Sequence, residues 1–116
     1  MSRILVVDDE ASIRGLMQEV LGSNGYKCDA VGSAHEALDR ISKAAYDLVI
    51  IDENMPLMTG SQAVDLLRSN PKYKGLPILM CTSHAVDQAV QADEFIEKPI
   101  DLQKLLAAAK RMTARA

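Results

Sequence analysis

Leu48-Val49-Ile50-Ile51-Asp52, followed by Glu53-Asn54-Met55-Pro56-Leu57-Met58-Thr59-Gly60, is the stretch that decides the fold. An unbroken apolar run rich in β-branched residues reads as a strand buried on both faces, as in the middle of a parallel sheet. It ends on a carboxylate. Pro56 and Gly60 then mark a loop, after which Ala63, Val64, Leu66 and Leu67 take up helical spacing until Pro71. Upstream, Ile4–Val7 is equally apolar and stops at Asp8-Asp9-Glu10. Ile13, Leu16, Met17, Val20 and Leu21 follow at i, i+3, i+4, i+7 and i+8, with Gly22 and Gly25 as stops. Lys27–Val31 reads as a weaker strand interrupted by Asp29. Ser33 and Glu36 have capping-box spacing ahead of Ala34, Ala37, Leu38 and Ile41. Downstream, Pro77–Cys81 ends at Thr82, and Glu94–Glu97 ends at Lys98-Pro99. Asp101 is placed to cap a last helix bearing Leu102, Leu105, Leu106 and Ala109.

Five strand-like runs alternating with helices predict an α/β fold, a doubly wound five-stranded parallel sheet covered on both faces. The length of 116 residues fits a single domain over 1–116. In such sheets ligands bind at the carboxyl ends of the strands. Those ends carry Asp8 and Asp9, Asp52, Thr82 and Lys98.

Composition narrows the function. The net charge of −3 lacks the basic face that direct nucleic-acid binding requires. The basic residues from Lys104 to Arg115 suit a helix C-terminus. Cys28 and Cys81 lack metal-type spacing and read as reduced, buried thiols. Neither a signal peptide nor a run approaching the ~20 apolar residues of a membrane helix is visible, so a cytoplasmic protein without membrane contact is expected.

Carboxylates gathered at one edge repel unless a cation compensates them. A hard divalent ion with oxygen ligands, Mg2+ above all, meets that need with only one or two direct carboxylates. A carboxylate beside such an ion is a competent nucleophile toward phosphorus. Lys98 and Thr82 would then meet the charge developing on the phosphoryl oxygens.

Taken in order, Asp8-Asp9, the Asp52–Gly60 segment, Thr82 and Phe95-Ile96-Glu97-Lys98-Pro99 resemble the motifs of response-regulator receiver domains, whose flavodoxin-like fold is that of the single-domain chemotaxis regulator. The resemblance runs from Ile4 to the last helix. It implies Asp52 as phosphoacceptor, Asp9 as a direct Mg2+ ligand, Asp8 acting mainly through water, and Asn54 giving its backbone carbonyl. It implies Lys98 as partner of the phosphoryl group and a cis Lys98–Pro99 bond. Thr82 and Phe95 resemble the switch pair, Thr82 moving toward the phosphoryl group and Phe95 turning inward behind it. For Phe95, plain core packing is the competing reading. The implied donor is a sensor histidine kinase or a histidine phosphotransfer protein, and the implied output is docking to an unidentified partner. The protein is then no enzyme beyond its own phosphorylation and autodephosphorylation.

The sequence departs from the family pattern in places. Gln91-Ala92 stands where the family has Gly-Ala, and Thr82 and Lys98 lie only sixteen positions apart. A crossover of a dozen residues is the minimum for a parallel connection. A shortened fourth helix around Ala85 to Val90, or an irregular link, is therefore expected. Ser83 follows Thr82. His84 is either an exposed loop residue or, together with Asn54, a modulator of dephosphorylation. His35 reads as solvated surface. The rival to a phosphoacceptor is a receiver-like interaction module that needs no phosphorylation; the intact acidic, hydroxyl and lysine set speaks against it. A flavin carrier or an aspartyl-phosphate phosphatase fits poorly, because the first strand lacks a phosphate loop and Asn54 stands where such a phosphatase needs an acid. The closing run fits a complete single-domain regulator, with the N-terminal piece of a longer protein as the other reading.

Overall fold

The computed structural model describes residues 2–83 and 90–114. Its sheet has five parallel strands: β1 (Arg3–Val7), β2 (Lys27–Val31), β3 (Leu48–Asp52), β4 (Ile78–Thr82) and β5 (Glu94–Glu97). Their order is β2-β1-β3-β4-β5, so β1 and β3 are central and the direction of winding reverses between them. The flavodoxin-like architecture expected from the sequence is what forms.

The helices among the described residues are α1 (Ala11–Ser23), α2 (Ala34–Lys43), α3 (Gly60–Arg68) and α4 (Leu102–Thr113), with a short 3-10 turn at Pro71–Tyr73. Of the expected short helix around Ala85 to Val90, residues 85–89 lie outside the described residues, and Val90 is not helical. Strand alternation sorts the core into two layers. Leu5, Val7, Val49, Ile51, Ile78 and Met80 face α2 and α3. Ile4, Val6, Leu48, Ile50, Leu79 and Cys81 face α1 and α4. Fully burying each Val, Leu or Ile side chain contributes about 1.5–3 kcal/mol, so the two layers supply most of the drive to fold.

Local signals set the helix ends. Asn24 caps α1, and Gly25 follows with φ 92°, where an L side chain would be strained. The Asp101 carboxylate accepts from Gln103 N and Lys104 N at the start of α4. At α2 only half of the expected capping box forms. The Ser33 hydroxyl accepts from Glu36 N, but the Glu36 carboxylate accepts from Gly32 N at 3.1 Å, one residue earlier than the motif predicts. The full reciprocal box is at α3, between Thr59 and Gln62. Leu16, expected on the buried face of α1, is half exposed because it borders a groove of about 230 Å3 shared with Lys98, Pro99 and Leu102. No helix among the described residues is long and apolar enough to cross a membrane.

Candidate functional site

The carboxyl ends of β1, β3, β4 and β5 converge, and they bring together the residues that the sequence places there. Asp8 and Asp9 follow β1, Asp52 closes β3, Thr82 closes β4, and Lys98 follows β5. Asp52 and Thr82 are 3 % and 4 % exposed, and Asp8 is 1 % exposed, whereas Asp9 faces solvent. Ligand atoms of Asp8, Asp9 and Asp52 lie within 4.8 Å of one another. Lys98 Nζ sits 2.7 Å from Asp52 Oδ1, and Lys98 N donates to the Thr82 carbonyl at 2.9 Å. The Lys98–Pro99 bond is cis, as the family resemblance implies.

The electrostatics are unbalanced. Burial pushes the Asp8 carboxyl above its ordinary range, and the charges of Asp52 and Asp9 push the same way. The Glu10 N–H and Lys98 only partly oppose them. For Lys98, desolvation works against the ammonium, but the hydrogen bond to Asp52 and the charges of Asp52 and Asp8 outweigh it, so its pKa is raised. Asp8 Oδ1 accepts from Glu10 N at 2.9 Å, whereas Asp8 Oδ2 is buried without a hydrogen-bond partner. A buried, orphaned carboxylate oxygen beside two further carboxylates is what a hard divalent cation would satisfy, and the all-oxygen donor set suits Mg2+.

Several supporting residues escaped the sequence reading. Arg14 Nη1 donates to the Asp8 carbonyl at 2.8 Å and ties α1 to the acidic turn. The Glu53 carboxylate accepts from Ser61 N and Ser61 Oγ, both at 2.6 Å, and so closes the start of α3 against the end of β3. Gly60 is required by contact: a Cβ there would lie 2.5 Å from the Asp52 carbonyl oxygen. Between them Leu57 adopts φ 70° with its side chain in solvent, a left-handed turn that a Leu in sequence does not announce. Asn54 N approaches Asp52 Oδ1 at 3.4 Å, and its side-chain amide donates to Ser83 Oγ at 3.3 Å across the mouth of the site. Phe95 is 45 % exposed on β5 while Ile96 is buried, which removes the core-packing reading of Phe95. His84 lies outside the described residues.

Comparison with known proteins settles the family. The response regulator receiver domain model matches residues 4–110. The chain belongs to the response regulator receiver family. Among curated relatives, the response regulator protein FleR of Pseudomonas aeruginosa is 36% identical over 90% of this chain and 23% of its own length. The two-component response regulator PhoP of the same organism is 38% identical over 90% of this chain and 48% of its own. This receiver chain therefore spans about half of such relatives, or less. Among solved structures, the chemotaxis response regulator CheY4 of Vibrio cholerae superposes with a TM-score of 0.90 at 36% identity, covering 97% of this chain and 98% of that one. The response regulator TrrA of Thermotoga maritima, solved in complex with Mg2+ and BeF, gives 0.87 at 34% identity, covering 97% and 99%.

The two cysteines add nothing to the receiver chemistry. Burial pushes the Cys81 thiol up to about 12 and the half-buried Cys28 thiol up to about 11, so neither is a thiolate at neutral pH.

Proposed function

We propose that this receiver domain accepts a phosphoryl group on Asp52 from a phosphohistidine donor, a sensor histidine kinase or a histidine phosphotransfer protein, and thereby controls docking to an output partner. The observation that carries this reading is the buried Asp52 carboxylate, bonded to Lys98 and grouped with Asp8 and Asp9.

Asp8, Asp9, Asp52 and the Asn54 carbonyl would hold Mg2+, with Asp9 as a direct ligand and Asp8 acting mainly through water. Bound there, the ion supplies positive charge to the phosphoryl oxygens. An oxygen of Asp52 forms the new bond to phosphorus as the donor's N–P bond breaks. The imidazole keeps that electron pair and takes a proton from solvent. Lys98 transfers its hydrogen bond from Asp52 to a phosphoryl oxygen, and the Thr82 hydroxyl turns to another. Attraction of Thr82 toward the phosphoryl group opens space behind it for Phe95, now outward on β5, to turn in. Phosphorylation thus biases a two-state equilibrium by contacts that exist in one state only. Water attack on the same phosphorus returns the carboxylate, and the Asn54 side chain at the mouth is placed to influence that rate, with His84 as the second candidate.

Residues 1–116 are read as one receiver domain acting in the cytoplasm, without direct nucleic-acid or membrane contact. No specific observation favours a module that acts without phosphorylation. Incubation with a histidine-phosphorylated donor carrying labelled phosphate tests the proposal. Label should pass to the wild type and not to Asp52→Asn; label on Asp52→Asn would refute it.

A further inference from the structure

A second polar centre lies at the opposite end of β5. Arg68, in the last turn of α3, has a side chain only 8 % exposed. Its Nε donates to the Gln91 carbonyl at 3.0 Å and its Nη1 to the carbonyls of Tyr73 and Lys74 at 2.8 and 3.3 Å. Its Nη2 lies 2.9 Å from Asp93 Oδ2. The same Asp93 oxygen accepts from Ile78 N at 2.8 Å, while Asp93 N donates to the Ile78 carbonyl at 2.9 Å. One carboxylate, held by a nearly buried guanidinium, therefore joins β5 to β4 immediately before the first rung of their ladder, Leu79 with Glu94.

That placement matters because β5 is only four residues long, although Arg111 of α4 also pairs with Glu94 at its start. It is an edge strand with one neighbour, and its ladder ends at Thr82 with Glu97. Its register decides the site. Phe95 faces out and Ile96 faces in, so a slip of one residue would exchange them. The same slip would move Lys98 by ~3.3 Å along the strand, more than its contact with Asp52 tolerates. At the carboxyl end the Lys98 N–H bonds the Thr82 carbonyl in either state, but the Lys98–Asp52 contact holds only in the resting state, because Lys98 must release Asp52 to bind a phosphoryl oxygen.

We propose that Arg68 and Asp93 form a register lock for β5, a positioning pair that sets Lys98 against Asp52 and Phe95 outward from the far end of the strand. This rests on the reading of Asp52 as phosphoacceptor. The lock needs the forked guanidinium, whose separate N–H groups reach Gln91, Tyr73, Lys74 and Asp93 together; a lysine ammonium at Arg68 satisfies only part of that set.

The test compares wild type, Arg68→Ala, Arg68→Lys, Lys98→Ala and the double variant Arg68→Ala/Lys98→Ala. Two quantities are read: the rate of phosphorylation by acetyl phosphate with Mg2+, and hydrogen exchange at the Lys98 amide, which bonds to the Thr82 carbonyl. Arg68→Ala should phosphorylate about tenfold to a hundredfold more slowly and exchange the Lys98 amide faster. Arg68→Lys should recover part of both. The double variant should be no slower than Lys98→Ala alone, because the pair acts through Lys98. Independent losses that multiply in the double variant would overturn the proposal, as would a wild-type rate and a protected Lys98 amide in Arg68→Ala. Should Arg68→Ala fail to fold, Asp93→Asn removes the charge while keeping the shape; it should shift both readouts the same way, and no shift would refute the lock. If the wild type takes up no phosphoryl group, the phosphoacceptor reading fails, and the lock then stands or falls on Lys98 amide exchange.

Discussion

Lys98 Nζ is bonded to Asp52 Oδ1 at 2.7 Å, joining the end of the edge strand β5 to the end of the central strand β3. The ammonium stands against the carboxylates of the site, and in the proposed phosphotransfer it passes from Asp52 to a phosphoryl oxygen. Lys98→Ala should therefore slow phosphorylation of Asp52 by acetyl phosphate roughly a hundredfold, the typical loss for one positioned charge-stabilising donor. Rates followed by intact-mass spectrometry at saturating Mg2+ check this, and an unchanged rate would remove Lys98 from the chemistry.

Asp8 gives a prediction about the metal-free protein. Its carboxylate is buried beside Asp52 and Asp9, and Oδ2 has no partner. Asp8→Asn removes one of the repelling charges, so the thermal midpoint without metal should rise by a few degrees. Added Mg2+ should stabilise the wild type by about 1.4 kcal/mol at ten times its Kd. The variant should show much less of that gain. Calorimetry with EDTA and with Mg2+ separates the two effects, and equal Mg2+ stabilisation of both proteins would contradict the assignment of the site.

Gly60 carries a steric prediction. Because an added Cβ would lie 2.5 Å from the Asp52 carbonyl oxygen, Gly60→Ala must push α3 away from the end of β3. The expected cost is about 1–3 kcal/mol in urea unfolding, accompanied by slower phosphorylation. Gly75→Ala, with open space around the new methyl group, is the control and should change stability little.

Strand, helix and site positions were legible because each rests on a one-dimensional signal. The apolar run of β3 ends at Asp52 in the sequence and in the fold alike, and the other strand ends follow the same logic. What stayed hidden depends on how the chain returns through space. Glu53 reads as an ordinary acid until the loop brings Ser61 back to it. Arg68 stands out in no sequence motif, because its partners lie on two other segments of the chain, at Tyr73–Lys74 and at Gln91–Asp93. Capping was legible by motif alone and correspondingly fallible: Ser33 and Glu36 match the box but make half of it, because the Glu36 carboxylate reaches Gly32 N. Phe95 was undecided in sequence because a β-strand alternates its faces, and only the register with β4 sets which face points out.

Asp29 governs an acid-range effect remote from the site. The Tyr46 hydroxyl donates to Asp29 Oδ2 at 2.7 Å and Arg3 pairs with the same oxygen, which together hold the Asp29 carboxyl below its ordinary value of 3.8. A carboxylate with a depressed folded pKa contributes stability that is present above the unfolded value and is lost as pH falls through the folded one. Wild-type stability should thus decline as pH drops below about 4, as expected for an ordinary carboxyl in the unfolded chain. Asp29→Asn should be less stable at neutral pH and should flatten that decline. Urea unfolding between neutral pH and the acid range reads both slopes, and parallel profiles would contradict the role given to Asp29.

Phosphorylation at Asp52 is the centre of the account, and one measurement reaches it most directly. Intact-mass spectrometry would follow the wild type and Asp52→Asn with acetyl phosphate, each with Mg2+ and with EDTA. The account predicts a single phosphoryl increment on the wild type, present only with Mg2+ and absent from Asp52→Asn. An increment that persists in Asp52→Asn, or that forms equally well in EDTA, would contradict it.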